Sequence, residues 1–223
     1  MARQLRLTLH RRTPQRREDF VVGASNDQAV AALEAWPAWH GGCLALVGPE
    51  GVGKSHLAQV WATAAGALRL DREGPDLTTA AGRPVLVEDV DRGVADEALF
   101  HLINMAGHDG GGLLLTARTA PAGWPAALPD LRSRLNAFPV ALIEEPDDPV
   151  LQAVLKSLFA ERSIRPPEDL YPYLLRRMPR SAPAARDLVR RLDEASDELG
   201  RPISRSLARH VLGEDTENLD LFE

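Results

Sequence analysis

Cysteine is nearly absent: Cys43 is the only one in 223 residues. A single thiol excludes an internal disulfide framework and fits a reducing compartment. Aromatic residues make up only 5% of the chain, so the core must be built mostly from Leu, Val and Ala. No apolar run reaches the roughly 18 residues that a membrane span needs. The basic N-terminus lacks the apolar stretch of a signal peptide. An excess of positive charge is missing too. The net charge of −6 argues against a protein whose main business is coating DNA. These absences point to a cytoplasmic protein that does not enter a membrane. With 44% hydrophobic residues, the chain can still bury the core of one medium domain, or of one domain with a small lid.

The charge that is present lies at the ends. Arg3, Arg6, Arg11, Arg12, Arg16 and Arg17 crowd the first seventeen residues, with no acid among them. Glu214, Asp215, Glu217, Asp220 and Glu223 occupy the last ten, with no Lys or Arg. Both ends read as exposed tails.

Between them, apolar patterning alternates strands with helices. Asn26 to Trp36 reads as a helix with Ala29, Val30 and Leu33 on one face, capped by Ser25 or Asn26. Cys43–Val47, Pro84–Asp91, Leu113–Thr116 and Ala137–Ile143 read as four strands, the first two as buried ones. His56–Ala65, Asp96–Ala106 and a short piece over Leu131–Leu135 read as helices. Residues 67–83 are mixed, with a turn at Gly74-Pro75. From Asp147 the pattern changes to helices alone: Val150–Arg162, Pro167–Arg177, Pro183–Leu199 and Ser204–Leu212. This order predicts a parallel α/β domain followed by a small all-helical lid. The expected organisation is a basic tail over 1–19, the α/β domain over 20–146, the lid over 147–213 and an acidic tail over 214–223.

The most informative motif is Gly48-Pro49-Glu50-Gly51-Val52-Gly53-Lys54-Ser55, which fits G-x-x-x-x-G-K-[ST] between a strand and a helix. Glycines let the backbone curl so that N–H groups face phosphates, and the helix start adds partial positive charge. Lys54 would reach the β- and γ-phosphates and Ser55 would bind Mg²⁺. A degenerate loop that keeps only the shape is the alternative. At the end of the second strand, Glu88 would be the metal-side acid and Asp89 would polarise an attacking water. The plain reading of both is a solvated acid pair. Thr116 ends the third strand, either facing the γ-phosphate or simply capping the strand. Arg134 could be offered to a neighbouring subunit's nucleotide, and Arg180 could reach the nucleotide from the lid. Each could equally be a surface charge.

These pieces together resemble the DnaA branch of the AAA+ ATPases over about residues 20–213. Phe20-Val21-Val22-Gly23-Ala24-Ser25-Asn26 looks like that branch's adenine-wrapping stretch. By the same resemblance Phe20, Val21, Val22 and Asn26 are expected at the nucleotide, with Gly48, Glu50, Gly51, Val52, Gly53, Lys54, Ser55 and His56. Leu128–Leu135 resembles the box that carries the arginine finger, which places that role on Arg134. Pro179-Arg180-Ser181 resembles the sensor 2 entry, which places that role on Arg180. Two departures stand out. Glu88-Asp89 replaces the usual pair of Asp, and Thr116-Ala117-Arg118-Thr119 lacks the usual sensor 1 Asp, which counts against hydrolysis by this chain alone. The chain ends where an initiator continues into a helix-turn-helix domain, so no direct sequence-specific DNA binding is expected.

A short DnaA-like chain of this kind is similar to the Hda-type regulators. Those carry a sliding-clamp motif of the form Q-L-x-L-x-L at the extreme N-terminus, and Gln4-Leu5-Arg6-Leu7-Thr8-Leu9 matches it. In an extended peptide, Leu5, Leu7 and Leu9 lie on one side and can enter a partner groove. The alternative is an edge strand of the protein's own sheet. Asn218-Leu219-Asp220-Leu221-Phe222 resembles a second clamp-binding pentapeptide, which would put Leu221 and Phe222 on a partner. An incidental tail is the alternative there. The resemblance implies ADP or ATP with Mg²⁺ as ligands, and the DNA polymerase III sliding clamp and DnaA as partners. It implies a regulator that stimulates ATP hydrolysis by DnaA. An adaptor without that stimulation and a stand-alone ATPase are the rivals, and a homodimer is left open.

Overall fold

The computed structural model describes residues 16–108 and 110–213. Gln4, Leu5, Leu7 and Leu9, and Leu221 and Phe222, lie outside the described residues.

Continuous aliphatic runs form the middle of the sheet, as expected of parallel strands covered on both faces. Strand β1 (Cys43–Val47) is buried throughout. After helix α2 (Lys54–Ala65) come β2 (Leu68–Leu70) and β3 (Pro84–Val87), then α3 (Asp96–Ala106) and β4 (Gly112–Ala117). Helix α4 (Pro129–Asn136) leads into β5 (Val140–Leu142), and α1 (Asp27–Glu34) precedes β1. The five strands lie in the order β2-β3-β4-β1-β5, and every pairing is parallel. Strand period two divides the core into two layers. Leu44, Leu46, Leu86 and Leu114 face α1 and α2, where Trp39 stacks on Trp61 with ring centres 5.1 Å apart. Ala45, Val47, Val85, Val87, Leu113 and Leu115 face α3 and α4.

A third cluster belongs to the helices beyond residue 147. These are α5 (Asp148–Glu161), α6 (Leu170–Leu175), α7 (Ala182–Leu199) and α8 (Arg205–Leu212). Their starts are set by polar caps: Asp147 accepts from Val150 N–H, Ser181 from Ala184 N–H and Ser204 from Leu207 N–H. Pro183 stands in the first turn of α7, where its missing N–H costs nothing.

Four details differ from the sequence expectation. Among the described residues there are five strands where four were expected. The added one, β2, is a three-residue, partly exposed edge strand, too short and too polar to show a period. Strand β3 stops at Val87 and does not run to Asp91, because Asp89 adopts a left-handed conformation (φ 54°) that ends the extended chain. Strand β5 covers only Val140–Leu142 of the expected Ala137–Ile143. Asn26 heads α1, but its side chain does not cap it. The amide turns back to accept from Gly23 N–H at 3.0 Å and to donate to Val21 O at 3.0 Å.

Candidate functional site

The phosphate loop leaves β1 and enters α2 with two glycines at positive φ, Gly51 at 81° and Gly53 at 108°. Both are also hemmed in by neighbours. A Cβ on Gly53 would lie 2.8 Å from the Phe20 ring, and one on Gly51 would lie 3.0 Å from Ser181 Cβ. Only glycine satisfies both demands. Lys54 is buried, and its Nζ donates to the loop carbonyls Gly48 O at 2.7 Å and Pro49 O at 2.6 Å. Burial lowers its pKa below the usual 10.5, while Asp89, Asp91 and Glu50 pull it back up. Ser55 is exposed at the mouth of α2, Val52 is buried under the loop, and Glu50 is exposed.

Two segments converge on this loop. The Phe20–Asn26 stretch is drawn into a compact turn by Asn26, which is 4% exposed. Ser25 O then accepts from Glu144 N–H, which ties the stretch to the chain after β5. The Phe20 ring stands edge-on to His56 at 5.3 Å. His56 Nε2 is 2.9 Å from Arg16 O, and a carbonyl can only accept, so Nε2 carries the proton. Val21 is half-buried and Val22 is exposed. From the lid, Ala182 N–H donates to Gly51 O at 3.3 Å, so the start of α7 rests on the loop. The structure thus brings together Phe20, Gly51, Gly53, Lys54, Ser55 and His56.

Other expected residues have engagements of their own. Glu88 is paired with Arg69 of β2, which also bonds Gln59 of α2. Asp89 donates its N–H to Thr116 Oγ1 at 3.0 Å and pairs its carboxylate with Arg92 at 3.4 Å. Thr116 is 1% exposed, so its hydroxyl is the tie between the ends of β3 and β4. Arg180 donates to Pro146 O through Nε and a terminal nitrogen, and pairs with Asp148 at 2.7 Å. It clasps the join between the α/β core and the lid.

Arg134 lies apart from the phosphate loop. Its guanidinium sits over the Phe100 ring at 5.1 Å, and its charge reaches Cys43. Cys43 opens β1, whereas the loop leaves β1 at Val47. Arg134 is therefore at the end of the sheet away from its own loop. Its neighbour Arg132 is consumed by structure, donating to the carbonyls of Trp124 at 2.7 Å, Ala126 at 3.3 Å and Ala122 at 3.4 Å. Among the described residues, Arg134 makes no such bond.

Sequence reasoning missed Asp91, Arg118 and Arg69. Asp91 and Arg118 pair at 3.3 Å beside the loop. For Asp91 and Arg118 the available signal was position alone, since each follows the end of a buried strand within a few residues; Arg69 lies in the partly exposed β2 and carried no signal.

The donor set fits a nucleoside polyphosphate. A curled glycine backbone, a buried lysine and a helix start offer cationic and N–H groups to anionic oxygens. Ser55 and Glu88 are the residues that would hold Mg²⁺, although Glu88 must first leave Arg69. When bound, Mg²⁺ supplies charge neutralisation between the terminal phosphates. Among the described residues no cluster of three or more His, Cys, Asp or Glu is placed to hold a metal, and no helix is long and apolar enough to cross a membrane.

The layered parallel sheet with a helical region after it is the fold of solved AAA+ proteins. No family model matches the chain. Domain III of the replication initiation protein DnaA from Thermotoga maritima superposes with a TM-score of 0.72 at 21% identity, over 88% of this chain and 95% of that one. A variant of RuvB from the same organism gives 0.69 at 17% identity, over 90% and 72%. AMPPCP-bound DnaA from Aquifex aeolicus gives 0.66 at 19% identity, over 81% and 65%. Identities this low define the fold and no more. The arrangement is similar to that of domain III of DnaA.

Proposed function

We propose that this chain is a replication-initiation regulator of the Hda type. It binds ADP or ATP with Mg²⁺, docks on the sliding clamp through Gln4–Leu9, and presents Arg134 to ATP held by DnaA. Hydrolysis then takes place in the DnaA site. The observation that carries this reading is the division of labour on α4. Arg132 is locked into the fold, while Arg134 stands exposed, away from its own phosphate loop. An arginine so placed can serve a neighbour's nucleotide and not its own. The AMPPCP bound to the Aquifex aeolicus DnaA supports the nucleotide part of the proposal.

The test is ATP hydrolysis by DnaA with this protein added, with and without clamp loaded on DNA. Stimulation that depends on the clamp supports the proposal. Absence of stimulation, with clamp binding intact, favours the adaptor reading. One observation favours a stand-alone ATPase: Glu88, Asp89 and Thr116 still gather at the strand ends next to the loop. ATP turnover by the purified chain alone decides for or against it.

A further inference from the structure

A cavity of about 300 Å³ opens in the lid, lined by Asp169, Pro172, Tyr173, Arg176, Arg177 and Arg205. None of these residues takes part in the site described above. Helices α6 and α8 pack together here. Two guanidinium groups share the ring of the buried Tyr173: Arg177 at 4.0 Å from its centre and Arg205 at 5.2 Å. Beside them Arg176 donates through Nε to Pro172 O at 3.1 Å, and among the described residues its terminal nitrogens meet no acceptor. The lining holds a single carboxylate, Asp169, which stands a long 3.9 Å from Arg205. Three cations thus face one anion. Stacking on a ring attracts each guanidinium, while the three repel one another. Carboxylates brought to the cavity would relieve that repulsion and take up the donors that Arg176 offers.

Helix α8 shows where such carboxylates come from. Arg205, Arg209 and Gly213 stand four residues apart, so they follow one face of the helix. Arg205 and Arg209 are exposed on it, whereas Leu207 and Ala208 are buried in the lid core. A basic row therefore runs from the cavity to the end of the helix. There Gly213 takes a left-handed conformation, φ 80°, and its N–H donates to His210 O at 3.1 Å. A left-handed cap of this kind turns the chain off the helix axis. The ten residues that follow lie outside the described residues. Their sequence holds Glu214, Asp215, Glu217, Asp220 and Glu223, with no Lys or Arg. Eight residues of helix separate Arg205 from Gly213, about 12 Å. An extended chain covers that distance in about four residues. Asp215 and Glu217 can thus follow the row, and Asp220 can reach the cavity.

We propose that the lid cavity is a docking site for an acidic peptide, and that its occupant is this chain's own segment 214–223. Carboxylates of that segment accept from Arg176 and Arg205 in the cavity and from Arg209 along the row. The tether raises their effective concentration to about the millimolar range, so ion pairs too weak to hold a separate peptide can hold this one. While the segment is docked, Leu221 and Phe222 are withheld from any other partner.

A fluorophore on Glu223→Cys of the full chain tests this by its anisotropy. Cys43 is buried and stays out of the labelling reaction. A docked segment should give the label a higher anisotropy than it has in about 1 M salt, where the Debye length falls to about 3 Å. The double variant Arg176→Ala with Arg205→Ala should lose most of that excess. A variant altered only in the segment, Asp215→Asn with Glu217→Gln and Asp220→Asn, should lose it equally, and the two sets combined should add nothing further. The segment variant leaves the lid itself untouched, so the test stays decisive even if the arginine variant folds poorly. Equal anisotropy at low and high salt overturns the proposal, and so does an excess that survives the segment variant. An excess that grows with protein concentration would put the segment on a second copy and overturn docking within one chain.

Discussion

Lys54 and Cys43 are both buried ionisable groups, but their surroundings treat them differently. Desolvation raises the Cys43 thiol from 9.0 to about 12, with Arg134 opposing the shift. The folded protein should therefore resist alkylation by iodoacetamide at pH 8, and full labelling should appear only on unfolding. Labelling at the rate of a free thiol under native conditions would contradict this burial. The sign also sets a pH trend. Above pH 9 the unfolded chain ionises its thiol while the folded one does not, so this group's contribution to stability declines as pH rises towards 12. Lys54 is shifted the other way, chiefly by burial. Its charge costs stability at neutral pH, and that cost fades as pH rises through its lowered value towards 10.5. Anionic oxygens arriving from outside, as proposed above, would offset that cost. Lys54→Ala should weaken ADP binding about 10–100-fold by calorimetry, the worth of one hydrogen bond to a charged group. Equal affinity in the two proteins would remove Lys54 from the site.

At the scale of elements, α4 makes the sharpest prediction. Its sequence Leu131-Arg132-Ser133-Arg134-Leu135 offers two arginines that residue type cannot tell apart. Arg132 fastens the loop before the helix through three carbonyls, whereas Arg134 lies over the Phe100 ring and, among the described residues, makes no hydrogen bond. Arg132→Ala should cost about 1–3 kcal/mol in denaturant unfolding, since it leaves partly buried acceptors without donors. Arg134→Ala should stay within about 0.5 kcal/mol of the unaltered chain. The reverse order would mean that the roles are misassigned. The ends of β3 and β4 show where sequence reading stops. The apolar run Val85-Leu86-Val87 and the acids after it announced a strand with a polar end. The left-handed turn at Asp89 and its tie to Thr116 are fixed by the neighbouring strand, which local pattern does not report. Edge strand β2 was invisible for a related reason: three half-exposed residues carry too little apolar signal. The phosphate loop was legible because its glycines answer to local backbone demands. Glu88 was singled out by position and Arg180 by position and resemblance, but their partners Arg69, Pro146 and Asp148 come from folding.

On the scale of the whole molecule, the proposed regulator role separates attachment from chemistry. Attachment is assigned to Gln4–Leu9, outside the described residues, and chemistry to Arg134 on α4. The described chain begins at Arg16, whose carbonyl is held by His56, and Arg17 pairs with Glu34. Deleting residues 1–9, or changing Leu5 and Leu7 to Ala, should abolish clamp capture in a pull-down while leaving ADP binding and thermal unfolding unchanged. Clamp capture undiminished by the deletion would refute Gln4–Leu9 as the sole site. The central claim is that Arg134 works on a nucleotide held by another protein. It is tested most directly by single-turnover hydrolysis of ATP pre-bound to DnaA, with clamp on DNA and either the unaltered chain or Arg134→Ala. The unaltered chain should accelerate hydrolysis and Arg134→Ala should lose most of the gain, in keeping with the roughly 10³–10⁵-fold worth of an arginine finger supplied by a neighbour. Full acceleration by Arg134→Ala, with clamp and ADP binding intact, would contradict the claim.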